Sequence, residues 1–263
     1  MRPSQITFAY FSATNTTQQI IRTIVKQFDS PATEYNITQN TPEEDVLVEN
    51  DKLFVVGMPV YAGRIPAISL KALNRFKGNN TPAVIVCVYG NRDYDDALLE
   101  LKDSVTNNGF CIVSAGAFIA QHSIFPKVGE NRPDEKDIYK MTEFGKQTAH
   151  FLESLVDLSV LKGIHVKGNT PYKTPGKIPL QPKGDKKCNE CGTCVKQCPA
   201  HAIPEKTPRI TDKEKCISCG RCIVVCPQKA RSFDGLLYKV AAEKFIRTNF
   251  NRKEPWVIFN SLV

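Results

Sequence analysis

The chain has 263 residues, 41% of them hydrophobic and 24% charged, with a formal net charge of +8; that balance belongs to a globular protein and excludes disorder, collagen-like repeats and miniature disulfide scaffolds. No run approaches the roughly 20 consecutive apolar residues of a membrane span, and no cleavable signal precedes the first strand pattern, so a cytoplasmic protein is expected. The charge is divided: residues 1–162 hold 16 Lys and Arg against 19 Asp and Glu, net −3, whereas residues 163–263 hold 19 against 8, net +11.

Apolar runs and amphipathic stretches alternate through residues 1–162, the pattern of successive βα units. Residues 6–11 (ITFAYF) read as the first strand. Ile20, Ile21, Ile24, Val25 and Phe28 then share a helical face behind a polar turn, residues 12–17. Further strands are expected at 33–37, 53–60, 83–89 and 111–120, with helices at 65–76, 94–106 and 134–158. This inventory predicts an α/β domain, a doubly wound five-stranded parallel sheet of flavodoxin type. Cys87 and Cys111 fall inside strand patterns and read as small buried hydrophobes.

Periodicity stops at residues 163–187, where four prolines, four glycines and six lysines predict an extended basic linker. Next comes an internal repeat: residues 188–202 (CNECGTCVKQCPAHA) recur 28 positions later as 216–230 (CISCGRCIVVCPQKA). Both copies read C-x2-C-x2-C-x3-C-P. Three thiolates at a spacing of three wrap one face of an iron–sulfur cube, while the fourth starts a helix pointing away and serves the other cube. Crosswise ligation assigns Cys188, Cys191, Cys194 and Cys226 to one 4Fe-4S cluster and Cys216, Cys219, Cys222 and Cys198 to the second. Structural zinc is the alternative, but zinc folds bring their ligands as separated C-x2-C pairs. Residues 188–232 are therefore expected to form a smaller α+β ferredoxin-like domain. Residues 233–263 are expected to add a basic amphipathic helix and an apolar tail, Trp256 with Val257, Ile258 and Phe259, packing on the body.

The repeat resembles the bacterial two-cluster ferredoxins, electron carriers. With about two negative charges per oxidised cluster, the second part would remain near +7, which favours a redox partner with an acidic docking surface. The alternative is that the lysines only solvate the linker. No nucleic acid partner is expected.

In an open parallel sheet the loops after the strands share one edge, where ligands bind. The first loop, Ser12, Ala13, Thr14, Asn15, Thr16 and Thr17, opens a helix and can hold a phosphate at the positive end of the helix dipole; an ordinary helix cap is the alternative. It resembles the flavodoxin phosphate loop T-x-T-G-N-T, with Asn15 in place of the glycine, a residue that tolerates left-handed backbone. Pro59, Val60, Tyr61, Ala62 and Gly63, with Tyr89, Gly90, Asn91, Arg92 and Tyr94, offer an apolar wall and close backbone approach for a flavin ring. The set resembles the fusion of a flavodoxin-like domain to a two-cluster ferredoxin, the EFR-type ferredoxins. That resemblance implies FMN beside Tyr61 and Tyr94, with Arg64 and Arg92 offsetting anionic charge. His122 and Arg132 follow the fifth strand on the same edge, His122 as a positioning residue rather than a catalytic one.

Three functions are open at this stage. One is an electron-transfer protein exchanging electrons between two 4Fe-4S clusters and FMN, and passing them to a redox partner. Another is an FMN-dependent reductase of a quinone or nitroaromatic, fed by the clusters. The last is a flavin-free ferredoxin with a docking domain. No G-x-G-x-x-G follows a strand, so direct nicotinamide oxidation is unsupported.

Overall fold

The computed structural model describes residues 1–176 and 178–262; Lys177 of the expected linker and Val263 of the expected tail lie outside the described residues. The α/β part runs β1 (Ile6–Tyr10), α1 (Thr16–Val25), β2 (Ala32–Asn36), β3 (Val46–Val48), β4 (Leu53–Pro59), α2 (Ala67–Leu73), β5 (Phe76–Gly78), β6 (Thr81–Tyr89), α3 (Ala97–Asn107), β7 (Phe110–Ile119) and α4 (Glu135–Ser154). β8 (Lys183–Gly184), α5 (Thr193–Lys196), α6 (Arg221–Val224), β9 (Arg231–Ser232), α7 (Leu236–Thr248) and β10 (Trp256–Phe259) follow.

β2, β1, β4, β6 and β7 pair in parallel in that order, the flavodoxin-type order with its reversal at β1 and β4. β4 and β6 are buried along their whole length, because helices cover both faces of the sheet. One core side stacks Phe54 against Phe76 and Phe110; the other packs Ile20, Ile21 and Ile24 of α1 with Met141 and Phe144 of α4.

Three features depart from the sequence expectations. The sheet has a sixth strand: β10 pairs antiparallel with β7, Trp256 opposite Ala117 and Phe259 opposite Ser114, so the apolar tail closes a sheet edge instead of only packing on it. β3 and β5 form a separate parallel pair, too short for periodicity to reveal. The expected linker is a bonded strap. Ile164 and Val166 are buried in the α/β core, the amides of Asn169 and Lys173 donate to the Asp96 carboxylate at 2.9 and 2.7 Å, and the Tyr172 hydroxyl donates to Asp103 at 2.6 Å. Its last residues belong to the cysteine module, since β8 pairs with β9.

The C-terminal segment also ties down the loops at the ligand edge. Asn91 is buried, its amide group donating to the carbonyls of Asn249 and Asn251 at 2.8 and 2.9 Å. Arg132 is buried against Asp137 and donates to the Lys253 carbonyl at 2.8 Å.

Candidate functional site

Each copy of the cysteine repeat holds a very short helix, α5 or α6, which carries the third cysteine and stops before the fourth; the fourth therefore does not start a helix as expected. Each of these helices starts after a glycine in left-handed conformation, Gly192 or Gly220. That backbone turns three cysteines inward together. One pocket is walled by Cys188, Cys191, Cys194 and Cys226, and a second by Cys198, Cys216, Cys219 and Cys222. The grouping is the crosswise one read from the spacing: each cavity takes three cysteines from one copy and the last cysteine of the other. The donor set, four cysteines at each pocket, suits an iron–sulfur cluster.

The two cavities face different surroundings. Cys191 is exposed, and a Cβ built on Gly192 would meet nothing within 4 Å. Cys219 is 8% exposed and belongs to the core cluster that holds Tyr61 and Ile217, and a Cβ on Gly220 would meet the Ser123 carbonyl at 3.4 Å and Thr14 at 3.6 Å. One set is thus an outer site and the other an inner site. Burial, with the Cys219 thiol beside it, pushes the Tyr61 phenol well above its ordinary pKa.

Between the modules, at the ends of β1, β4, β6 and β7, lies a cavity open to solvent. Of the expected flavin residues it is lined by Ala13, Thr14, Thr16, Thr17, Pro59, Val60, Tyr61, Ala62, Tyr89 and Gly90. Asn15 has φ 66°, the left-handed conformation that lets it stand where glycine is expected. Among the described residues nothing accepts from the amides of Thr14, Asn15, Thr16 and Thr17, so the start of α1 presents free donors beside the cavity. A phosphate at the loop and a flat ring against Tyr61 fit this arrangement.

Six expected flavin residues are not in the lining, each for a visible reason. The Ser12 hydroxyl accepts from the Gln18 amide at 3.1 Å, the helix-cap alternative. Asn15 turns its side chain to Arg221, 3.1 Å away. The space beside Gly63 is filled by Asp95, Asn91 is taken by the C-terminal segment, and Arg92 pairs with Asp95. Tyr94 packs on Tyr89 and Trp256, away from the cavity. Nor is Arg64 free to offset a ligand's charge, because Glu100 takes two of its donors at 2.7 Å each. Cys87 is fully buried as expected, whereas Cys111 is half-buried.

His122 lines this cavity and an adjoining, mostly apolar one. Its Nδ1 accepts from the amides of Ile124 and Phe125 at 3.2 and 3.1 Å, so the neutral ring carries its proton on Nε2. Burial and the charge of Arg92 lower its pKa to about 4. His122 is therefore a fixed hydrogen-bond donor near neutral pH and not a proton reservoir. A Cβ on Gly90 would collide with its ring, which accounts for that glycine.

Arg221 is the functional residue the sequence reading missed. From the second cysteine loop it donates to the Ala13 carbonyl at 3.3 Å, to Asn15 Oδ1 at 3.1 Å and to Gln197 Oε1 at 2.7 Å. It brings positive charge to the loop of residues 12–17, which has none of its own. Its one sequence signal is a change within the repeat, Thr193 in the first copy against Arg221 in the second.

Residues 187–231 match the family model of the 4Fe-4S dicluster domain. The chain joins that domain to a flavodoxin-like fold. Solved structures similar to the α/β part include a flavodoxin from the domain Archaea, at 12% identity over 57% of this chain and 99% of that one, TM-score 0.39. The FMN-bound flavodoxin of Fusobacterium nucleatum is similar at 16% identity over 57% and 96%, TM-score 0.40. An NADH:FMN oxidoreductase in its apo form is similar at 14% over 58% and 90%, TM-score 0.40. No curated protein sequence matches the chain. No helix among the described residues is long and apolar enough to cross a membrane.

Proposed function

We propose that the chain is an electron-transfer protein holding two 4Fe-4S clusters and one FMN, with electrons exchanged between the outer cluster and a redox partner. The observation that carries this reading is the inner cysteine set, which packs through Cys219 into the core beside Tyr61 at the flavin cavity while the outer set reaches the surface. The clusters supply one-electron chemistry and the flavin one- or two-electron chemistry.

The chain's own residues supply position, charge and exclusion of water. Cys188, Cys191, Cys194 and Cys226 would hold the outer cluster and Cys198, Cys216, Cys219 and Cys222 the inner one. The amides of Thr14–Thr17 and the guanidinium of Arg221 would hold the FMN phosphate, and Val60, Tyr61 and Gly90 the ring. Ile217 and Ser218 wall the same cavity from the cysteine module, which shortens the path between sulfur and ring. Lys186, Lys187, Lys196 and Lys229 are exposed and lie within three residues of outer-set cysteines in the chain, which suits a partner with an acidic docking surface.

Anaerobic purification with iron, sulfide and flavin measured per chain tests the proposal. About eight irons and one FMN are expected; eight irons without flavin would leave a ferredoxin with a docking domain, and zinc in place of iron would refute it. A second reading, reduction of a quinone or nitroaromatic, is favoured by the adjoining cavity, whose lining includes Ile124, Ile223, Phe233 and Tyr238 beside His122. Steady turnover of such an acceptor by the chemically reduced chain would support it.

A further inference from the structure

The two copies of the cysteine motif diverge just after their shared Cys-Pro-x-x-Ala run: the first continues with Ile203 and the second with Arg231. Both side chains are buried, at 5% and 3% exposure. Ile203 lies in the wall of the inner cavity and Arg231 in the wall of the outer one. An isoleucine there costs nothing in lost hydration. A guanidinium costs heavily unless negative charge answers it.

The partners of Arg231 among the described residues are neutral. Nη1 donates to the Pro208 carbonyl, and Nη2 donates to the Pro182 carbonyl at 2.9 Å and to the Thr211 hydroxyl. Nε is buried with no acceptor among the described residues. Nη1 also lies 4.0 Å from Cys194 Sγ in the outer set. Pro182 and Thr211, which accept from it, stand in the wall of the inner cavity, so this cation lies between the two cysteine sets. What the site lacks is an anion, and the two cysteine sets around it are built to hold anionic groups.

We propose that Arg231 is the buried counter-charge of both clusters and holds their reduction potentials up, most strongly at the outer site that contains Cys194. The proposal rests on the two-cluster reading above. Each added electron makes a cluster and its thiolates more negative, and a nearby buried cation stabilises that reduced form with little screening by salt. Arg231 is a tuning residue: it takes no electron and need not touch the flavin.

The test is a redox titration of the full chain, followed by visible absorption and electron paramagnetic resonance, for the native protein and for R231Q, R231M and R231K. Iron and sulfide are counted first on the native chain; absence of clusters there would refute the two-cluster reading itself. In the neutral variants the equilibrium constant for reducing the outer cluster is expected to fall tenfold or more, about 59 mV for a one-electron couple, with a smaller fall at the inner cluster. R231K keeps the positive charge and is expected to stay within about threefold of native, and the gap between native and R231Q to persist at about 1 M salt. Loading of R231K at near-native potentials while both neutral variants fail to take up iron would also support a required charge. Fully loaded neutral variants with native potentials would overturn the proposal. So would an R231K that falls as far as R231Q, or failure of all three to load, since either outcome reduces Arg231 to holding the loop.

Discussion

The α/β module and the cysteine module are stabilised by different means. The first buries two extensive hydrophobic clusters on either side of its sheet. The second has a small cluster of its own, Cys194, Cys198, Cys222, Ala202 and Ile203, in which most side chains are sulfur donors. A module of that size with so little apolar core depends on what its cysteines bind. The sheet does not, and this difference decides how each half responds to perturbation.

The largest effect separates the halves outright. Anaerobic removal of iron by a chelator is expected to unfold residues 183–232 while the sheet persists. Hydrogen exchange would show amides of β8, α5, α6 and β9 losing protection and those of β4 and β6 keeping it. Equal loss in both modules would mean that the sheet too leans on the metal.

Next in size is the buried ion pair of Arg132 with Asp137, their side chains 4% and 1% exposed. Asp137 also completes the reciprocal cap with Asp134 at the start of α4. R132Q strips that buried carboxylate of its closer cation, leaving Arg252 at 3.3 Å, and should cost the α/β module about 3 kcal/mol in urea unfolding. Iron content of the folded variant should stay native.

His122 supplies a pH signature. Its folded pKa of about 4 lies below the ordinary 6.5, so between those values the unfolded chain binds a proton that the folded chain refuses. The stability associated with neutral His122 is complete above about pH 6.5 and is lost as pH falls toward 4, a loss of about 3 kcal/mol. H122N should flatten that segment of the pH–stability curve; an unchanged slope would place the titration elsewhere.

The smallest expected effect is at Asn15. N15V puts a β-branched residue into left-handed backbone and should destabilise the α/β module by about 1–2 kcal/mol, with weaker FMN retention and unchanged iron. N15G should be close to native on both counts. A tolerated valine would mean that the loop relaxes without penalty.

Most of this architecture was legible in the sequence, for identifiable reasons. The five parallel strands announce themselves because apolar runs covered on both faces leave little else for the chain to do. The two cysteine sets were separable because spacing along a tight loop already dictates which sulfurs can face one group. The strap was not legible: its hydrogen bonds run from irregular backbone to Asp96, more than 70 residues away. The resemblance implies Tyr94 beside the flavin, yet it packs between Tyr89 and Trp256, the latter from the far end of the chain, and is not in the cavity lining. Arg64 looked available until Glu100 of α3 was seen to take it.

Local pattern alone therefore determined the five parallel strands with their helices, the fold class and the composition of each sulfur set, since periodicity and short spacings act within a few residues of chain. Tertiary structure alone decided which set lies inside and which outside, that β10 closes the sheet, and that Arg221 and Arg231 stand where anions are expected. Burial and electrostatic pairing depend on distance through space, and the segments that meet here are up to 208 positions apart in the chain.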